Sequence, residues 1–200
     1  MAETTKTAYV FPGQGSQWVG MGRDLYQQFA SAKAIFEQAD QILGFPLSRL
    51  CFEGPEEELR KTINVQPAIV LVSYACLKVA SEISGNRLTP AFVAGHSLGE
   101  YTALAAADVI DFATLVHLAR ERGRLMHEAG LKQPGGMAAI IGMEEASLME
   151  VTDETGTRIA NINSPGQIVI SGAKEHLAQA VDMVKSRGNR AIPLAVSGAF

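Results

Sequence analysis

Gly95-His96-Ser97-Leu98-Gly99 fits the pattern G-x-S-x-G. In that pattern a sharp strand-to-helix turn lifts a serine hydroxyl clear of a sheet, and the flanking small residues make room for the turn. Ser97 is therefore a candidate nucleophile for acyl transfer. At the start of a helix it would also place the Leu98 backbone N–H where a developing oxyanion sits. A turn serine that merely caps a helix satisfies the same five residues. A second candidate loop is Phe11-Pro12-Gly13-Gln14-Gly15-Ser16-Gln17. It is not a phosphate loop, because no Lys-Ser/Thr follows Gly20 and no glycine follows Gly15 at the dinucleotide spacing. Gln14, flanked by glycines after a strand, can present a backbone amide at a sheet's C-terminal edge; an ordinary strand–helix loop has the same composition.

Arg122 stands out by periodicity. Leu115, Leu118, Arg122, Leu125 and Met126 follow i, i+3/i+4 steps along one apolar stripe, which leaves Arg120 and Arg124 on the opposite, polar side. A permanently charged guanidinium on such a stripe needs a partner, and its fork suits a carboxylate. That partner is a ligand carboxylate or an internal Asp or Glu, unless the side chain snorkels to solvent. A serine nucleophile also needs a base. His96, His117, His127 and His176 are the only histidines, and none follows a late strand, so spacing identifies no base.

The elements that must carry these residues alternate. A strand is predicted over 7–11, helices over 22–29 and 33–43, and a helical turn after Pro55. Pro67 opens a long helix over 68–84. A strand over 91–95 leads into a helix over 97–107, and Asp111 caps another over 112–129. This alternation predicts an α/β fold with a largely parallel sheet. After Gly135-Gly136 the pattern becomes strand 137–142, helix 144–154, strands 158–162 and 167–171, helix 174–187 and strand 190–196. That β-α-β-β-α-β order is the ferredoxin-like split unit, read as a small inserted domain.

Composition sets limits on function. The 200 residues are 47% hydrophobic and 19% charged, enough for a substantial core and too apolar for disorder. The net charge of −4 argues against a nucleic-acid partner or a broad basic membrane-binding surface. The N-terminus, Met-Ala-Glu-Thr-Thr-Lys, is polar, and the most apolar stretch, 68–80, is interrupted by Ser73, Tyr74 and Lys78. Cys51 and Cys76 lie far apart without metal-ligand spacing and are expected to be reduced core residues. No metal site is expected, and the expected compartment is cytoplasmic.

Five motifs occur in order: Phe-Pro-Gly-Gln-Gly-Ser-Gln at 11–17, Gln66-Pro67-Ala68, Gly-His-Ser-Leu-Gly-Glu at 95–100, Arg122-Gly123, and Asn161-Ile162-Asn163-Ser164-Pro165-Gly166-Gln167. Together they resemble the malonyl-CoA:acyl carrier protein transacylase family, including polyketide-synthase acyltransferase domains, over essentially the whole chain. The resemblance implies an α/β-hydrolase-like large domain with a parallel sheet, residues 1–130 and 191–200, and a ferredoxin-like small domain, residues 131–190. It implies that Ser97 becomes the acyl-enzyme, that the Gln14 and Leu98 amides form the oxyanion hole, and that Arg122 clamps the malonyl carboxylate. Gln66 would lie near the active site, and Phe200 resembles the residue that accompanies malonyl over methylmalonyl selection. The implied reaction is ping-pong: malonyl passes from malonyl-CoA to Ser97, then to the phosphopantetheine thiol of acyl carrier protein, in fatty-acid or polyketide synthesis. The CoA thioester is substrate, and no bound cofactor is implied.

In that family the segment matching Val196-Ser197-Gly198-Ala199-Phe200 is followed by the catalytic histidine, and this sequence ends at Phe200. The expectation is that these 200 residues alone turn over poorly, since loss of a general base forfeits about 10²- to 10⁴-fold. A C-terminal segment or partner chain would complete the site. Two other readings share the motifs. One is a serine esterase or thioesterase on the same elbow. The other is a non-catalytic fragment that binds CoA or carrier protein, with Arg120, Arg124, Lys185, Arg187 and Arg190 as docking residues or simply a solvated face.

Overall fold

The computed structural model describes residues 6–85, 87, 89–196 and 198–200. Residues 1–5, at the polar N-terminus, and Ser197, in the closing segment, lie outside the described residues. The chain divides into two compact units, residues 1–124 and 125–200.

The first unit contains β1 (Ala8–Phe11), α1 (Arg23–Gln28), α2 (Ala30–Leu43), α3 (Leu47–Glu53), α4 (Glu56–Arg60), α5 (Thr62–Ile83), β2 (Phe92–Gly95) and α6 (Gly99–Ala106); the boundary falls within α7 (Phe112–Lys132). β1 and β2 pair in parallel from Ala8↔Phe92 to Phe11↔Gly95, so both strands end at one edge. α5 is the central helix, with Val65 to Leu71 all buried. A helix apolar on every side is stable only when other elements enclose it. By length and composition α5 could cross a membrane, yet half of its apolar window is buried within the fold. α2 lays Ala32, Phe36 and Ala39 against this core at i, i+4 and i+7, and α7 adds Leu115, Val116 and Ala119. At about 1.5–3 kcal/mol for each fully buried large side chain, this cluster holds the unit together.

Helix boundaries follow the capping chemistry at one end and depart from it at another. α7 begins after Asp111, whose Oδ1 accepts the Thr114 N–H at 2.7 Å. Hydrogen bonds from Thr114, first its side chain and then its backbone, hold the Asp111 carboxyl below its ordinary value. A carboxylate depressed by folding stabilises above its unfolded value and loses that contribution as pH falls through its folded value. Asp111→Ala is therefore expected to lower Tm at pH 7, with the gap to the parent closing below about pH 4. Thermal melts across pH check this, and a gap independent of pH would refute it. α5 starts six residues earlier than predicted, at Thr62, and Pro67 stands inside it. α3 is too short for a helical period to declare itself in the sequence: its seven residues span about two turns, with Leu47 and Cys51 buried. Cys51 is a core residue whose thiol burial pushes up to about 12, with the Asp40 charge as a lesser cause. Cys76, expected in the core, is exposed.

The second unit is built from β3 (Gly135–Ile141), α8 (Glu145–Thr155), β4 (Arg158–Ser164), β5 (Gln167–Ala173), α9 (Lys174–Ser186) and β6 (Arg190–Pro193). Its sheet runs β4-β5-β3-β6 with every neighbour antiparallel. Period-two alternation sorts the two faces. Ala138, Ile140, Ile168 and Ile170 share a core with Leu148 and Val151 of α8 and Val181 and Val184 of α9. Met137, Ala139 and Val169 face the other side, where Leu194, Val196 and Phe200 pack. The parallel sheet expected of the first body is present, and two expectations about the division are revised. Among the described residues the parallel sheet is the β1–β2 pair, and the larger sheet is antiparallel. Residues 191–200, expected with the first body, lie in the second unit, because β6 is hydrogen-bonded to β3 and the residues after it cover that sheet. The division also falls at 124/125, not near 130.

Candidate active site

The turn at Ser97 is built by close packing. Ser97 adopts φ 51°, in the left-handed region that a side chain rarely occupies. Such a conformation costs on the order of 1–3 kcal/mol and persists only where its surroundings impose it. Here they do. The His96 N–H donates to Phe11 O at 3.1 Å, extending the β1–β2 pairing past the strand. The Gly99 N–H then donates to His96 O at 2.9 Å and Glu100 N–H to Ser97 O at 3.2 Å, which starts the helix. A Cβ on Gly95 would lie 2.0 Å from the Gly99 carbonyl carbon, and one on Gly99 would lie 2.2 Å from Phe11 O. Both obstacles are backbone and cannot swing aside. Gly99→Ala is expected to destabilise the protein by about 3 kcal/mol or more, at or beyond the upper end of core overpacking. Urea unfolding measures this, and a loss under about 1 kcal/mol would show that the elbow can relax.

The parallel pairing sets the Gln14 loop beside this elbow. Phe11 and Gly95 are partners, so Pro12–Gln14 leaves β1 where His96–Leu98 leaves β2. A Cβ on Gly13 would meet His96 O at 2.7 Å. The loop is fixed by Ser16 Oγ donating to Gly13 O at 3.0 Å and Gly15 N–H donating to Gln17 Oε1 at 2.9 Å. Among the described residues, neither the Gln14 nor the Leu98 N–H enters a turn or loop backbone hydrogen bond. The Leu98 side chain is fully buried and pins the elbow into the core.

Arg122 reaches the same point from α7. Its Nη2 donates to Ser97 Oγ at 3.0 Å and its Nη1 to Gln66 Oε1 at 2.8 Å. Gln66, on α5, has no exposed surface. The guanidinium carbon lies 5.8 Å from the centre of the Tyr101 ring on α6. Among the described residues Arg122 has no carboxylate partner, which removes the internal ion pair as its explanation. The three motifs Gln66-Pro67, Gly-His-Ser-Leu-Gly and Arg122-Gly123 therefore converge.

The stripe that drew attention to Arg122 is placed differently. Leu118 and Leu125 are 41% and 53% exposed, and Phe112, Leu115, Val116, Ala119 and Gly123 form the buried face. Arg122 is half-buried at its border. Gly123 carries no apolar signal in a sequence, yet a Cβ there would lie 2.7 Å from Thr62 O of α5. Arg120 is not on a solvated side: its Nη1 donates to Ile63 O at 2.7 Å and Asn64 Oδ1 at 2.9 Å, and it stacks 4.8 Å from the Phe45 ring. Burial lowers its pKa from the ordinary arginine value. Arg124 pairs with Glu121 and Arg187 with Glu150. Tyr101 was missed; its signal was its place four residues after Ser97 on a helix. Among the described residues no histidine hydrogen-bonds Ser97 Oγ. Phe200 packs in the second unit against Met137, Ala139 and Val169.

Residues 8–200 match the acyl transferase domain family. The chain belongs to that family. This acyl transferase chain is 50% identical over 202 residues to the malonyl CoA-acyl carrier protein transacylase of Bacillus subtilis, covering 98% of this chain and 63% of that protein. It is 45% identical to the polyketide biosynthesis malonyl CoA-acyl carrier protein transacylase PksC of the same organism, covering 96% and 66%. The chain thus spans less than two thirds of the length of these relatives. Among solved structures, the malonyl CoA-acyl carrier protein transacylase of Clostridium perfringens superposes with TM-score 0.90 at 37% identity, covering 98% of this chain and 62% of that one. A type II PKS acyl-carrier protein in complex with its malonyl-transacylase matches with TM-score 0.90 at 44% identity, covering 98% and 64%. In this acyl transferase domain the Asn161–Gln167 motif forms the end of β4 and the turn into β5, with Ile162 opposite Ile168 and Ser164 opposite Gln167.

Proposed function

We propose that this chain carries the acyl-accepting site of a malonyl-CoA:acyl carrier protein transacylase. The observation that carries the reading is Arg122, without a carboxylate partner among the described residues, 3.0 Å from the hydroxyl of an elbow serine. Ser97 Oγ attacks the thioester carbonyl of malonyl-CoA; its proton passes to a general base and CoA leaves as the thiol. The Gln14 and Leu98 N–H groups receive the developing oxyanion. The carboxylate of the acyl group, one methylene from the carbonyl, takes the place of Ser97 Oγ as acceptor for Arg122 Nη2. Gln66 holds Nη1 and so aims the fork. So short a distance between Oγ and the guanidinium favours an acyl group whose charge lies close to its carbonyl. The phosphopantetheine thiol of acyl carrier protein then attacks the ester, takes the malonyl group and restores the serine hydroxyl.

The names of the relatives and the carrier-protein complex support this substrate and partner, in fatty-acid or polyketide synthesis. We read the first unit as α/β-hydrolase-like, supported by the parallel pair leading into the elbow, and the second as ferredoxin-like, supported by its element order and its β4-β5-β3-β6 sheet. Phe200 is assigned to malonyl selection by resemblance. The reading calls for no resident cofactor and for a cytoplasmic setting. A serine esterase on the same elbow gains nothing from a cation beside its nucleophile, which sets that alternative second. Intact mass before and after malonyl-CoA tests the proposal. One malonyl adduct per chain is expected, and none on folded protein extended by the segment that carries the family's histidine would overturn it.

A further inference from the structure

α5 contains a proline where an N–H is needed. In an α-helix the N–H of residue 67 would donate to the carbonyl of residue 63, and Pro67 has none. A guanidinium from another helix supplies a donor in its place: Arg120 Nη1 lies 2.7 Å from Ile63 O. The same nitrogen lies 2.9 Å from Asn64 Oδ1, while Asn64 Nδ2 donates to Glu58 O at 2.9 Å. Phe45 covers the guanidinium face at 4.8 Å. Among the described residues Arg120 has no carboxylate partner either. Its charge is balanced by a carbonyl, an amide oxygen and a ring, all in fixed positions on the first turns of α5 or beside them.

Two further contacts lie between the same stretches of helix. Gly123 sits so close to Thr62 that a Cβ would overlap its carbonyl oxygen, and Arg122 reaches Gln66 one turn along α5. Arg120, Arg122 and Gly123 therefore lock residues 62–66 from three positions within one turn of α7. We infer that Arg120 is a positioning residue: by capturing the Ile63 carbonyl that Pro67 leaves without its helical donor, it sets the rotation and slide of α7 on α5 and so aims Arg122 at the acyl group on Ser97. This rests on the acyltransferase reading. Aim matters because a misplacement of about 1 Å in a reacting array can cost on the order of 10²-fold.

The readout is the ratio of initial acylation rates with malonyl-CoA and acetyl-CoA, measured by intact mass on the same preparation of the full chain. Unfolded protein lowers both rates alike and leaves the ratio unchanged. Arg120→Met keeps the stem and removes the donors; it is expected to lower the malonyl:acetyl ratio about tenfold. Arg120→Lys, which keeps one charged donor, should recover part of that loss. Pro67→Ala returns an N–H to Ile63 O in competition with Arg120 and should lower the ratio in the same direction, by less. A ratio unchanged in Arg120→Met, while Arg122→Ala lowers it, overturns the positioning role and leaves the acyltransferase reading standing. A ratio that Arg122→Ala also leaves unchanged overturns the reading and the inference with it, as does a chain carrying the family's histidine segment that accepts neither acyl group.

Discussion

Replacing Ser97 with alanine is expected to abolish the malonyl adduct, lowering the acylation rate on the order of 10⁴-fold or more. No other group can stand in for a missing nucleophile, and what survives elsewhere in a serine site is the binding and oxyanion contribution alone. Cys51 offers no substitute, since it is buried and its thiol is pushed up to about 12. The variant also separates chemistry from folding. Alanine has the same Cβ at φ 51° as serine, so the strain of the elbow is retained. Arg122 Nη2 loses one acceptor but stays held through Gln66. Stability by urea unfolding should therefore change by less than about 1 kcal/mol, as for a substitution that creates neither cavity nor clash. A Ser97→Ala protein that still gains malonyl at the parental rate would remove Ser97 from the mechanism.

The second large effect is expected at Arg122. Arg122→Ala removes the guanidinium that would meet the acyl carboxylate, a charge-assisted contact whose truncation costs about 2–4 kcal/mol. That corresponds to a fall of about 10²-fold in the rate of malonyl uptake at subsaturating malonyl-CoA. Arg122→Lys should recover only part of it. A lysine keeps the charge but has a single nitrogen, which cannot hold Gln66 Oε1 and a carboxylate in the two-pronged geometry seen here. Single-turnover acylation followed by mass gives both numbers. Malonyl uptake within threefold of the parent in Arg122→Ala would show that the guanidinium orders the free site and does not recognise the acyl group.

Much of this was legible in the order of residues. The elbow was in part, because Gly95 answers to a local steric demand: its Cβ would meet the Gly99 backbone four residues on, whereas Gly99 must clear Phe11 O of β1, far off in the chain. The cap at Asp111 is equally local, since donor and acceptor are three residues apart. So is the alternation in β3 and β5 that sends Ala138 and Ile140 to one face and Met137 and Ala139 to the other. The start of α5 was misplaced because Pro67, a good first-turn residue by its local preferences, is tolerated one turn deeper once another helix supplies a donor near Ile63 O.

The sequence by itself determined the local devices: the G-x-S-x-G turn between a strand and a helix, a capped helix, and a sheet sorted by period two. Only the tertiary structure decided what Arg120 and Arg122 do. Helical periodicity assigns faces by hydrophobicity, so it carried Leu118 and Leu125 into the core, overlooked Gly123, and placed Arg120 in solvent. The partners of the two arginines, Ile63, Asn64, Gln66 and Ser97, lie 25 to 57 residues away in the chain. No spacing rule reaches that far. Contacts of that span form when α7 packs on the first turns of α5, and that packing gives two arginines on one helix different places, one against the Ile63 carbonyl and one beside Ser97.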